Sequence, residues 1–204
     1  AIFPAALYWV WLSPKRELGG SYADVKEAIR YGKGPPIGST KPERPKKPLA
    51  DVLANMESDD FTYDLSEHAW YRLRTLGADA LSEAELTVLT VCDVSGEVPN
   101  GGFEQYFVNS SGNLALHLVP SLERSGAHAT ADIAKRAIAA FERSAPSSDR
   151  RTRWAQMDRI SKAKQALWND LDREFYKHQD DLDALLRDYV RAHQGEFTDA
   201  HEAR

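Results

Sequence analysis

The sequence predicts an all-α fold: a single multi-helix domain carrying an N-terminal arm with room for a short strand and a helix. Three observations predict it. From Leu49 onward apolar residues recur at helical spacing almost throughout. Helix starts and stops punctuate that stretch, above all the capping box Ser82-Glu-Ala-Glu85 and the stop at Gly77. No strand pattern of comparable strength and no repeat of fixed period appears after residue 49.

Taken in order, Leu7 to Leu12 (Leu-Tyr-Trp-Val-Trp-Leu) is aromatic and β-branched and reads as a strand. Ser21 to Tyr31 reads as a helix, with Ser21 as its cap and Gly32 beyond its end. Gly32 to Pro48, with five prolines and three glycines, reads as an extended basic linker. The chain therefore divides into an arm, 1–48, and a helical domain, 49–204. Leu49, Val52, Leu53 and Met56 make a first short helix; Ser66 caps a second, which runs to Leu76. The capping box opens a third, which leads into Glu97-Val-Pro-Asn-Gly-Gly-Phe-Glu-Gln-Tyr-Phe-Val-Asn-Ser-Ser-Gly112. There Asn100-Gly101-Gly102 is a turn that needs positive φ. Phe103, Tyr106 and Phe107 form one face of a short helix, and Gly112 suits a left-handed cap. Leu114 to Arg124 is helical with a break or kink at Pro120, then Thr130 to Arg143, Asp149 to Tyr176 and Asp180 to Ala192 complete the set.

Composition bounds the function. With 204 residues, 42% hydrophobic and 28% charged, the chain can bury a core. No apolar run reaches a membrane span of roughly 18 residues. The apolar start, Ala1 to Leu12, lacks a basic leader and carries Pro4, so it is a poor signal peptide. The one cysteine, Cys92, excludes an internal disulfide and fits a reducing, cytoplasmic setting. The net charge of −5 is the sum of +5 over residues 1–48 and −10 over residues 49–204.

The densest polar set among apolar residues is Asp93, Glu97, Asn100, Gln105 and Asn109. It could form a carboxylate pair with amide donors, as acid–base chemistry needs. The plainer reading is that Glu97 and the amides satisfy backbone groups freed by the turn. Asp170, Glu174 and His178 share one helical face with Asp181 close by, yet the spacing fits no helical metal site, so a solvated face is expected and no metal or other cofactor. The remaining histidines make no ligand-spaced pair, and Cys92 reads as a small buried residue with no base assigned to it. Gly-x-Ser-x-Gly, phosphate loops and dinucleotide fingerprints are absent. Arg150, Arg151, Arg153, Arg159, Lys162 and Lys164 make a basic stretch, expected to pair with acidic neighbours rather than with nucleic acid.

The acidic segments are the more distinctive. Residues 51–67 hold six carboxylates and no Lys or Arg; residues 170–188 hold seven against three basic residues. Helical carboxylates at i, i+4 stand about 5–6 Å apart, within a factor of two of the phosphate spacing along a nucleic-acid strand.

The core Asn100-Gly-Gly-Phe-x-Gln-Tyr-Phe-x-Asn-x-x-Gly112 closely resembles the C-terminal domain of the bacterial DNA-mimic protein family. Leu81-Ser-Glu-Ala-Glu85, the alanine-rich stretch from Gly126 to Phe141, Leu171-Asp172-x-Glu174-Phe175-Tyr176 and Leu182 to Tyr189 extend the resemblance over about residues 65–193. It implies an all-helical domain whose motif residues, Glu97, Asn100, Gly101, Gly102, Phe103, Gln105, Asn109 and Gly112, are structural. The family's typifying member is an acidic dimer that occupies the DNA-binding surface of a transcription factor.

The expected function is that of a non-enzymatic interaction protein, possible as a homodimer, without direct contact to nucleic acid or membrane. Its acidic face, Asp51, Glu57, Asp59, Asp60, Asp64, Glu67, Asp170, Glu174, Asp181 and Asp188, binds a basic partner such as a DNA-binding transcription factor. The alternative is a small-ligand or enzyme domain with a pocket at the Asn-Gly-Gly turn. A further option is that the aromatic arm, Leu7 to Trp11, docks onto another protein.

Overall fold

The computed structural model describes residues 42–177 and 180–199. The expected strand at Leu7 to Leu12, the helix at Ser21 to Tyr31, most of the linker, and His178 lie outside the described residues. Eight α-helices and no strand occur among the described residues. They are α1 (Leu49–Ala54), α2 (Phe61–Leu76), α3 (Glu83–Val108), α4 (Ala115–Arg124), α5 (His128–Ile138), α6 (Arg150–Met157), α7 (Lys162–Phe175) and α8 (Leu182–Ala192). α3 is the axis of the fold, and α2, α4, α6, α7 and α8 all pack on it.

Local chemistry explains most boundaries. The Ser82 hydroxyl accepts from the Glu85 N–H, and the Glu85 carboxylate accepts from the Ser82 N–H, so the capping box is closed in both directions. Glu85 also meets Arg72 of α2 at 2.9 Å, both side chains being nearly inaccessible, which fixes α2 against the start of α3. Gly77, at φ 88° and ψ 168°, ends α2 in a region essentially closed to other residues. Asp181 and Asp149 cap α8 and α6 through the N–H groups of Ala184 and Thr152.

Four expected boundaries are corrected. α2 starts at Phe61, five residues before Ser66. Ser66 is buried inside the helix and returns its hydroxyl to the Tyr63 carbonyl, which lets it sit where a cap was expected. α4 runs through Pro120 without a break, because Pro120 is exposed and the carbonyl it deprives belongs to solvent-facing Leu116. α5 occupies His128–Ile138 rather than Thr130 to Arg143, and the chain then turns at Arg143 and Ser144, both at positive φ. The expected single helix from Asp149 to Tyr176 is two: α6 ends at Met157, and Ser161 caps α7 through the Lys164 N–H.

The core is aromatic at its centre. Phe107 stacks on Trp168 at 5.2 Å and meets Phe141 edge-on at 4.8 Å. Phe103 meets Phe175 edge-on at 6.2 Å. The Trp168 indole N–H reaches the Ala137 carbonyl, so α7 is tied to α5 through the same cluster. Phe107 is fully buried and touches the neighbouring Tyr106 ring and rings from two other segments. Phe107→Ala is expected to lower the unfolding free energy by about 3–5 kcal/mol, read by urea denaturation followed by circular dichroism; a loss under about 1 kcal/mol would contradict this packing.

Candidate functional site

The helix α3 is two helices joined at a corner. Gly101 (φ −164°, ψ 25°) and Gly102 (φ 73°, ψ −177°) leave helical geometry, and the short helix Phe103 to Val108 resumes beyond them. Only Gly102 has the positive φ expected for this turn; Gly101 is extended and is small for another reason. A Cβ on Gly101 would run into the Gln105 side chain, and one on Gly102 into the Asp172 carboxylate. Asp172, on α7, accepts the Phe103 N–H at 2.9 Å and caps the resumed helix. The Tyr176 hydroxyl donates to the Pro99 carbonyl at 2.8 Å, from the next turn of α7.

Glu97 is the centre of a buried polar cluster. Its carboxylate accepts from Gln105 Nε2 at 2.6 Å, Asn109 Nδ2 at 2.9 Å and Ser111 Oγ at 3.1 Å. Glu97 and the amides were expected to satisfy backbone freed by the turn; Glu97, Gln105 and Asn109 are joined side chain to side chain. They bind one another across the corner, and the freed N–H goes to Asp172. Asn100 lies exposed on the outside of the corner, while Gln105 is half-buried. Asp93, one turn before Glu97, is fully buried, and no protein donor reaches hydrogen-bond geometry to its carboxyl. Burial, reinforced by the neighbouring Glu97, pushes its pKa well above the usual carboxylate range; the Trp70 indole offsets part of this. Burial therefore disfavours the ionised form of Asp93.

The far end of the short helix is closed by α6. Arg153, fully buried, donates to the carbonyls of Phe107 at 2.6 Å and Asn109 at 2.8 Å. Arg150 and Trp154 both donate to Val108 at 2.9 Å. Gly112 does not adopt the expected left-handed conformation: it sits in a 3-10 turn, Ser110–Leu114, and a Cβ there would lie 2.6 Å from Arg153 Nε. It makes room for the guanidinium. The basic stretch is corrected likewise, since Arg150 and Arg153 face backbone carbonyls rather than acidic neighbours. Burial and the adjacent Arg150 draw the Arg153 pKa down to about 10, so it stays charged at neutral pH.

The nominated acidic residues fall on two regions. Asp51, Glu57, Asp59 and Asp60 are exposed at the corner between α1 and α2; Asp64 and Glu67 follow, partly buried, along α2. α8 joins this corner: Arg187 donates to the carbonyls of Met56 and Ser58, Arg191 pairs with Glu57, and Thr62 donates to Asp183. Asp181 and Asp188 are exposed on α8. Asp170 and Glu174 instead lie on α7, with Arg173 and with Arg136 of α5. Asp64 pairs with Lys47 at 2.6 Å, and Asp188 with Arg191. Asp51, Asp59 and Asp60 have no ion pair among the described residues. No group of three His, Cys, Asp or Glu side chains able to hold a metal occurs among the described residues. The Cys92 thiol donates to the Thr62 carbonyl, and burial pushes its pKa far up, which leaves no thiolate at neutral pH.

Asp172 and Ser111 were not among the candidate residues, and Arg150 and Arg153 were expected to pair with acidic neighbours. Asp172 lies 69 positions from its partner, and nothing local marks it. The only signal was indirect: a positive-φ glycine before a short helix requires an acceptor for the first N–H groups, and a tight glycine beyond it requires something bulky nearby.

Gly102→Ala should cost about 1–3 kcal/mol from backbone strain and displace Asp172, whereas Asp172→Ala alone should cost about 1 kcal/mol as a lost cap. Thermal unfolding of both, and of the double variant, checks this; the double change should fall short of the sum, because the two act at one contact. Asp93 gives a pH signature. An unfolded Asp releases its proton near the ordinary value of 3.8, whereas folded Asp93 keeps it. Stability therefore declines as pH rises above about 4, until the folded group ionises. Asp93→Asn should remove that component, so the variant gains on the parent as pH rises above about 4 in urea unfolding; parallel slopes would reject a raised Asp93 pKa.

No helix among the described residues is long and apolar enough to cross a membrane. No curated protein and no solved structure matches the chain. The model of one family, described as DMP19-like protein, matches residues 79–193, a span that runs from just before the capping box to the end of α8 and holds the whole corner. With more than half of its length so matched, the chain belongs to the DMP19-like family.

Proposed function

We propose that the protein is a non-enzymatic interaction protein of the DNA-mimic kind, whose surface carboxylates occupy the DNA-binding surface of a basic partner, a DNA-binding regulator. Membership of the DMP19-like family carries the reading, since DMP19 is a DNA-mimic family. The acidic face is the corner of α1 and α2 together with α8: Asp51, Glu57, Asp59, Asp60, Asp64, Glu67, Asp181 and Asp188. Asp170 and Glu174 stand apart from it on α7, paired with Arg173 and Arg136. Two properties support this choice. Asp51, Asp59 and Asp60 are exposed and have no ion pair among the described residues, so a cation approaching them displaces no such pair. The pairs that Arg191 makes with Glu57 and Asp188 are open to solvent, at 84% and 74% exposure of the carboxylate side chains, and such pairs are worth about 0–1 kcal/mol. A partner's arginine can take the place of Arg191 at little cost.

The competing reading, a ligand pocket at the Asn-Gly-Gly turn, asks for carboxylates at an opening. Asp93 and Glu97 are 0% and 5% exposed, and Glu97 is occupied by three side chains.

The test is affinity capture at low salt with the full chain as bait. A basic DNA-binding protein should be retained, released by duplex DNA, and released by raising ionic strength. Asp51→Lys/Asp59→Lys/Asp60→Lys should weaken retention by about tenfold or more. Retention of no basic protein, or a complex that duplex DNA leaves intact, would refute the proposal.

A further inference from the structure

We propose that the start of α7, with the turns packed beside it, is a second interaction surface, of opposite sign, that takes a short acidic amphipathic protein segment. Lys162 to Leu167 are six consecutive exposed residues of a well-formed helix, and α7 does not enter the core until Trp168. The overhang is held in place. Ser161 caps it, Gln165 Nε2 donates to the Ile160 carbonyl, and Lys164 Nζ holds the Ala140 carbonyl at the end of α5. A helix that rigid, with one and a half turns clear of the body, presents a ready-made surface.

Its chemistry is basic and partly apolar. Arg143, Arg159 and Lys162 are exposed and have no carboxylate partner among the described residues. Arg143 and Ser144, at φ 56° and 52°, hold a conformation that such residues rarely adopt, on the turn directly after the carbonyls that Lys164 holds. Glu142 and Asp158 are the exposed carboxylates on the same junction, so the cations there outnumber the acids. Ala163, Ala166 and Leu167 fall at i, i+3 and i+4 and make an apolar stripe between the cations, with Leu167 38% exposed.

That combination selects the occupant. The cations call for an acidic partner. The apolar stripe calls for a side-chain surface, because a phosphate backbone gains nothing from covering Leu167. The rest of the helical domain selects against size: residues 49–204 carry a net charge of −10. A duplex or an anionic membrane would extend over that negative surface and be repelled. A segment of two or three helical turns stays within about one Debye length, about 8–10 Å, of the patch and feels mainly the local charge. A helix laid along α7, with carboxylates toward Arg159 and Lys162 and an apolar residue on Ala163 and Leu167, meets each condition. This surface is separate from the acidic corner and does not depend on the proposed mimicry.

The experiment uses the full chain and a fluorescein-labelled synthetic helix with glutamates on one side and leucines on the other, followed by anisotropy. Binding at low salt should weaken by about tenfold at physiological ionic strength. Arg159→Glu/Lys162→Glu should weaken it by about tenfold and Leu167→Ser by about fivefold, with unchanged circular dichroism because all three side chains are exposed. Asp51→Lys/Asp59→Lys/Asp60→Lys should leave it unchanged, which separates this surface from the acidic one. The proposal is overturned by no binding of the peptide at low salt, by binding indifferent to the Arg159 and Lys162 reversals, or by tighter binding of duplex DNA or anionic vesicles than of the peptide. Self-association of the wild type that the same reversals abolish would assign the patch to a second copy instead, and would overturn it too.

Discussion

The structure hangs on the short helix from Phe103 to Val108 and on the two charged side chains that close its ends. A helix of this length exposes nearly all its terminal N–H and C=O groups and would not persist alone in water. Here Asp172 takes the first N–H, and Arg153, with Arg150 and Trp154, takes the last carbonyls. A negative group at the N-terminus and positive groups at the C-terminus also match the helix dipole. Because these partners come from α6 and α7, the arrangement fastens the later part of the chain to the central axis. Phe103, Tyr106 and Phe107 are thereby delivered as a set to the aromatic core, with Trp168 and Phe175 arriving on the helix that carries Asp172.

Burying Arg153 is expensive, and the geometry shows how the expense is met. A charged donor gains about 1.5–3 kcal/mol from each well-made hydrogen bond, and Arg153 makes them to Phe107, Asn109, Ser147 and the Asn113 side chain. Glu97 is treated in the same way, with three side-chain donors around one carboxylate. Asp93 takes the other course: with no donor in full hydrogen-bond geometry, its ionised form is disfavoured by burial and by the neighbouring Glu97. Two charges and one suppressed charge thus occupy one interior, each by a different balance of desolvation against hydrogen bonding.

Much of this was legible in the residues. The capping box, the stop at Gly77, the apolar spacing of α1 and α8, and the corner at Asn-Gly-Gly all follow from local rules, and local rules are what a sequence displays. The misreadings share a cause. Ser66 looks like a cap and behaves as an interior serine because Phe61 and Leu65 supply core contacts one turn earlier. The basic stretch looks like a surface because nothing near it in the chain says that it will meet the carbonyl end of a helix more than 40 positions away. The roles of Gly101, Gly102 and Gly112 were half visible: smallness could be seen, and what each makes room for could not.

The same distinction governs how far family membership reaches. Residues that define the corner are occupied internally: Gly102 against Asp172, Gly112 against Arg153, Glu97 against three donors. A change at any of them strikes a buried contact, whereas exposed substitutions usually stay within about 0.5 kcal/mol. The corner is therefore held by stability, independent of what the protein binds, while Asp51, Asp59, Asp60, Arg159 and Lys162 are free to change as partners change. Similarity detected through the corner speaks first for architecture. Specificity has to be carried by the exposed charges, and here acids without an ion pair among the described residues stand at the α1–α2 corner and cations without one at the start of α7. The proposed acidic corner and the start of α7 share no residue, so substitutions at one leave the charges of the other in place.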